Sequence, residues 1–156
     1  LAIVENVMVK KITIIIFFWL ASYPNLYSEE EYFLTLKNDK VNLRQGPSFK
    51  YPIKLFYKKK YLPVLVQDKS DNFRKIRDHE NNTGWIHLSQ LSKKKAAITL
   101  DENILVFNGS TVYSKPLVTL AKGKLCIVIK CKEDWCKIKV NKFKGWVKKE
   151  SLWGRL

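Results

Sequence analysis

The sequence predicts an all-β chain made of two copies of one small unit in tandem behind an N-terminal export signal. After Glu31, short apolar runs of alternating character recur between turn signals such as "RQGPS", "QDKSDN", "HENNTG" and "FNGS". No helical period is sustained there, so the pattern is that of strands. A stretch of about twenty residues then returns, since "NFRKIRDHENNTGWIHLSQL" (72–91) matches "DWCKIKVNKFKGWVKKESLW" (134–153) in type and order. The 156 residues suffice for two units of roughly 60 residues, each with a thin core.

The first element is "MVKKITIIIFFWLASYPNLYS", in which Met8 and two lysines precede an apolar run from Ile12 to Ala21 and a helix-breaking stretch at Pro24. This is the layout of a secretory signal peptide, assigned to residues 1–28, with Leu1 to Val7 read as an over-extended start. The apolar run is well short of the ~20 residues that span a bilayer, so no membrane span is expected after cleavage. The mature protein is expected to be periplasmic or secreted.

Within the repeat, Phe73 answers Trp135, Ile76 answers Ile138, Gly84-Trp85 answers Gly145-Trp146 and Leu91 answers Leu152. One extra residue in the first copy's hairpin accounts for the change in offset. The link "SKKKAA" (92–97) is short and charged, which keeps the copies close together.

Register follows from the second copy. A two-residue turn at Asn141 and Lys142 sets Val140 opposite Phe143, Ile138 opposite Gly145 and Cys136 opposite Val147. Taking "KEDW" as the preceding loop sets Cys131 opposite Cys136, Ile129 opposite Ile138 and Ile127 opposite Val140.

These elements resemble the bacterial SH3-like (SH3b) family, in the tandem exported form found in alphaproteobacteria. The first copy carries "VNLRQGPSFKYPI" (41–53) and "NFRKIRDHENNTGWIHLSQLS" (72–92), and the second "DWCKIKVNKFKGWVKKESLWG" (134–154). The second copy has "VFNGSTVYSKPLV" in place of the Leu-Arg-x-Gly-Pro-Ser element. The resemblance implies SH3b-like barrels at 31–92 and 97–154, each of five or six strands. It also implies no catalysis, no cofactor, and a role in binding wall polymer or peptide.

Cys131 and Cys136 are cross-strand neighbours in this register, and an exported chain is in a disulfide-permissive compartment, so a bridge is expected; two small buried apolar side chains are the alternative. Cys126, of opposite parity, is expected on the other face as the odd thiol. No metal site is expected, because Cys-x4-Cys-x4-Cys spans both faces and the histidines, His79 and His87, lie in the other copy. A Cys/His hydrolase lacks the chain length for a pocket-bearing scaffold, so the protein is not expected to be an enzyme.

The net charge is +15, with 25 Lys and only four Arg. Such a balance favours contact with polyanions, although the charges also serve simply to solvate surface strands. The scarcity of the bidentate Arg fork argues against specific nucleic-acid readout. By parity Trp135 shares a face with Lys137 and Lys139, Trp146 lies beside Lys137, and Phe73 shares a face with Lys75 and Arg77.

The candidate ligand-binding residues are therefore Phe73, Trp85, Trp135 and Trp146. Arg44 and Tyr51 of the early loop region join them as candidate ligand-binding residues, polar-tipped, like Tyr57, and able to reach a ligand, with local hairpin packing as the alternative. Peptidoglycan or an envelope peptide or protein is the expected partner. Cover of these rings by the long early loop of their own barrel, or packing of the aromatic faces between the repeats or on a protein partner in a structural or adaptor role, is the other reading.

Overall fold

A computed structural model describes residues 30–156; the signal-peptide segment lies outside the described residues. The first copy runs β1 (Tyr32–Leu36), β2 (Val41–Arg44), β3 (Ile53–Tyr57), β4 (Pro63–Ser70), β5 (Phe73–Arg77), β6 (Thr83–His87) and β7 (Leu91–Ser92). The second runs β8 (Ala96–Thr99), β9 (Ile104–Phe107), β10 (Pro116–Leu120), β11 (Leu125–Lys132), β12 (Trp135–Val140), β13 (Phe143–Lys148) and β14 (Leu152–Arg155). A single 3-10 turn precedes the last strand of each copy.

Each copy forms one antiparallel seven-stranded sheet, and the strand orders correspond element for element: β3-β2-β6-β5-β4-β1-β7 and β10-β9-β13-β12-β11-β8-β14. The five or six strands expected per barrel are seven, the last being a short strand that pairs with the first of its own copy.

The sheets curl because each carries β-bulges at matching places, one between β4 and β5 at Gln67 or between β11 and β12 at Ile129. A bulge bends the strand and sharpens its twist, which lets a sheet of this size wrap around its own side chains. Leu36, Val41, Leu43, Val64, Ile76 and Ile86 are fully enclosed in the first copy, and Val106, Cys126, Cys136, Ile138 and Val147 in the second.

The bulge at Ile129 corrects two of the register expectations. The pairing Val140↔Phe143, Ile138↔Gly145 and Cys136↔Val147 is as derived, and Cys131 faces Cys136. Beyond the bulge, however, Val128 and not Ile129 meets Ile138, and Ile127 meets Lys139. Ile129, the extra residue, is left 46% exposed. Parity is inverted across the bulge, so Cys126 points into the core with Val128 and Cys136 and not to the opposite face.

Cys131 and Cys136 form the disulfide, and Cys126 is a buried free thiol. Burial pushes its pKa up to about 11, with Lys124 and Lys59 pulling weakly the other way.

The glycine of each Gly-Trp pair marks where the sheet crosses itself. A Cβ at Gly84 would stand 2.7 Å from the Arg44 carbonyl oxygen, and one at Gly145 would stand 2.6 Å from that of Phe107. Both contacts are with backbone, which cannot swing aside.

The two copies are in direct contact. Only residues 93–95 separate β7 from β8, and β8 is buried along its whole length. Its Ala97 belongs to the second core and its Ile98 to the first. Trp153 of β14 meets Phe33 of β1 edge-on at 4.9 Å. The Arg155 guanidinium donates to the carbonyls of Phe33 (2.8 Å) and Lys93 (3.0 Å). Gly154, at φ +147°, leaves room for Ala96 and Pro63, which a side chain there would strike.

Two outcomes are expected. Gly84→Ala or Gly145→Ala should each cost about 1–3 kcal/mol in urea unfolding, as overpacking against fixed backbone does; a change below about 0.5 kcal/mol would refute the crossing constraint. With a thiol reagent at pH 8, where a shift of about two units lowers the thiolate fraction roughly a hundredfold, the native protein should react only slowly. Unfolding without reductant should release one thiol per chain and unfolding with reductant three, the cysteine count being 3; three without reductant would exclude the bridge.

Candidate functional site

The loop from 45 to 52 enters the site first. Gln45 N–H donates to the Pro52 carbonyl and Tyr51 N–H to that of Ser48, closing the loop on itself. The Arg44 guanidinium donates to the Phe49 and Tyr51 carbonyls at 3.2 and 2.8 Å and lies over the Phe49 ring. Arg44 thus holds the loop's own backbone. Tyr51 packs its ring against Gly46, so that a side chain there would displace the ring, and is 47% exposed.

The ordering of this loop decides which aromatics are open. Phe49 from its tip packs on Phe73 and on His87 at 5.2 and 5.0 Å, and Phe73 is only 6% exposed. In the second copy Trp135 is 8% exposed, with Phe107 edge-on against it and the Lys148 ammonium over its ring at 5.2 Å. Phe73 and Trp135 therefore do not line an open face. Trp85 and Trp146 stay partly open, and the aromatic at the contact between the copies is Trp153.

Trp85 is placed by register. It pairs with Arg44 on one side and Lys75 on the other, and the crossing at Gly84 sends its ring to the outer surface. A shallow groove of about 310 Å³ is formed there by Gln45, Lys54, Lys75, Thr83, Gly84 and Trp85. Lys54 sits at a second bulge, between β2 and β3, and its ammonium donates to the Thr83 carbonyl at 3.1 Å. The groove offers one aromatic wall, one amide and two cations, a set suited to an extended chain bearing carboxylates.

Tyr57 is engaged elsewhere. Its hydroxyl donates to Asp78 at 3.0 Å, and the burial of the phenol and the Asp78 charge raise its pKa well above the ordinary value. Asp78, 1% exposed, also accepts from the backbone N–H groups of Glu80 and Asn82 and from the Asn82 amide. It fixes the β5–β6 turn that ends beside the groove.

Trp146 stands in another setting. It pairs with Phe107 and Lys137, and the ammoniums of Lys130 and Lys137 lie 5.8 and 6.0 Å from its ring.

Of the groove residues the sequence placed Lys75 on the face of Phe73, and its pairing with Trp85 follows from the register of the second copy, whereas nothing in the sequence marked Gln45 or Lys54. Trp153 was missed as well; its signal was an aromatic standing where the first copy has Ser92. Among the described residues no group of three or more His, Cys, Asp or Glu could hold a metal, and no helix is long and apolar enough to cross a membrane.

No curated protein matches the chain. Among solved structures it is similar to NlpC2 from Trichomonas vaginalis, with a TM-score of 0.37 and 10% identity over 81% of this chain and 49% of that one. It is also similar to NlpC1 from the same organism (TM-score 0.35, 11% identity, 83% and 47%) and to an NlpC/P60 family protein from Bacillus cereus (TM-score 0.36, 10%, 78% and 56%). The chain spans about half the length of these proteins. The sequence pattern of the bacterial SH3 domain matches twice, over residues 37–93 and 101–154. Those segments cover well over half the chain and fall one on each seven-stranded sheet, so the chain belongs to the bacterial SH3 domain family, in two tandem copies.

Proposed function

We propose that this is a non-catalytic module of the cell envelope, periplasmic or secreted, that binds peptide or the peptide-bearing polymer of the wall. The observation that supports this reading is the groove at Trp85, where a partly open indole shares the lining with Lys54 and Lys75. Recognition there needs only stacking of an extended backbone on the ring and charge pairing with peptide carboxylates. No proton transfer or covalent step is required of any group in the groove. Membership of the bacterial SH3 domain family supports a binding role over a catalytic one.

The test is co-sedimentation with purified peptidoglycan at low salt. Retention should fall roughly tenfold in Trp85→Ala, equivalent to about 1.4 kcal/mol, and further in a Trp85→Ala, Lys54→Glu double variant. Because Trp85 is partly exposed, unfolding midpoints should stay close to the parent's. Trp135→Ala, by contrast, removes a covered ring and should lower stability. Failure of the parent protein to sediment, or equal retention of Trp85→Ala, would overturn the reading.

A further inference from the structure

The outer face of β11, β12 and β13 carries a charge arrangement that the fold does not require. Residues paired directly across strands share a face. The rows there run Lys132–Trp135–Lys148, Lys130–Lys137–Trp146 and Lys139–Lys144. Six lysines thus stand around two tryptophans, and among the described residues none of the six has a carboxylate within ion-pair distance. Two of the pairs, Lys130↔Lys137 and Lys139↔Lys144, set like charges directly opposite each other, an arrangement that destabilises a sheet.

The first copy serves as an internal control, because its strands correspond position by position. Where the second copy has Lys130↔Lys137, the first has Asp68↔Lys75, and where the second has Lys139↔Lys144, the first has Arg77↔Thr83. The same frame is therefore built with opposite charges at one pair and a neutral partner at the other. The second copy keeps the repulsion, which a bound polyanion would relieve.

We propose that this face docks a linear acidic polysaccharide. Neighbouring strands are ~4.8 Å apart and alternate residues along a strand ~6.8 Å apart, so the backbone positions that carry the lysines form a regular grid from which flexible side chains can meet the closely spaced carboxylates of a polyuronate. The two rings are not free platforms: Lys130 and Lys137 lie over Trp146, and Trp135 is closed by Phe107 and Lys148. Single-stranded nucleic acid, whose binding depends on bases stacking on open aromatics, is the poorer fit. Lysine point charges without arginine forks match a ligand held by charge density and not by bidentate geometry. This surface does not involve the Trp85 groove, and the proposal stands apart from that reading.

The experiment uses the full exported chain and fluorescently labelled polygalacturonate in anisotropy titrations. Binding should weaken about tenfold or more between 50 and 200 mM salt, as release of counterions requires. The variant Lys130→Asp, Lys144→Thr installs the first copy's residues; it should lose binding at least roughly tenfold while its melting temperature rises by about 3 °C, which separates loss of the site from loss of the fold. A matched variant, Lys58→Asp with Lys60→Thr, removes the same net charge from exposed positions of the first copy and should bind like the parent, as should Trp85→Ala. The proposal is overturned if the parent fails to bind at 50 mM salt or if the two charge variants lose binding equally. It is also overturned if single-stranded DNA of matched charge binds as tightly as the polyuronate.

Discussion

The structure depends on one close approach, the passage of β2 over Gly84 and of β9 over Gly145. Each sheet must bring distant strands together to close around a core that few residues supply. At the crossing a single cross-strand pair joins the strands, Arg44 to Trp85 or Phe107 to Trp146. Backbone carbonyl oxygens stand where a Cβ would have to go, so only glycine lets the strands meet. With the glycine facing in, alternation places the next residue on the outer face. The tryptophan is thus presented to the surface by the same contact that closes the barrel, which is why the candidate site sits at the most constrained point of the fold.

On this common frame the copies differ in how they solve local problems. The β11–β12 hairpin is bridged by Cys131 and Cys136, whereas the first copy has Lys69 opposite Arg74 at the corresponding pair. A bridge closing a loop with a separation of 5 residues removes little chain entropy, on the order of 2 kcal/mol. It is a local reinforcement that the fold does without in the first copy. The cover over the β5 or β12 aromatic also changes hands. In the first copy Phe49 reaches it from the loop while Arg44 ties that loop down. In the second, Phe107 occupies the position of Arg44 and covers Trp135 itself. The loop from 108 to 115 nevertheless keeps the matching backbone bonds, Asn108 to Lys115 and Ser114 to Thr111, although its sequence differs.

Much of this was legible in the sequence because strand pairing is a matter of period and turn. The Asn141-Lys142 turn located the β12–β13 register, and the repeat carried it over to Lys75 and Trp85. The bulges were not legible. In "LCIVIKC" every residue from Cys126 to Ile129 is apolar, so a slip of one position leaves no mark on the pattern, and strict alternation sent Cys126 to the wrong face. The sequence left open whether Phe73 and Trp135 face a ligand or lie under the early loop of their own barrel, since that is decided by where Phe49 and Phe107 come to rest. Parity assigns a face but not what covers it.

The contact between the copies gives the two outer surfaces a joint consequence. β8 is buried on both sides, contributes to both cores, and is clamped by Trp153, Gly154 and Arg155. A flexible tether would dilute one surface relative to the other and add an ordering cost each time both are engaged. Here that ordering is accomplished on folding, by apolar burial and by hydrogen bonds from Arg155 that need no ligand. The two outer surfaces, one aromatic and one cationic, are therefore held in one fixed relative orientation by the fold itself. Trp153, although it faces the protein, thus helps to fix the geometry in which Trp85 and the lysine face are presented.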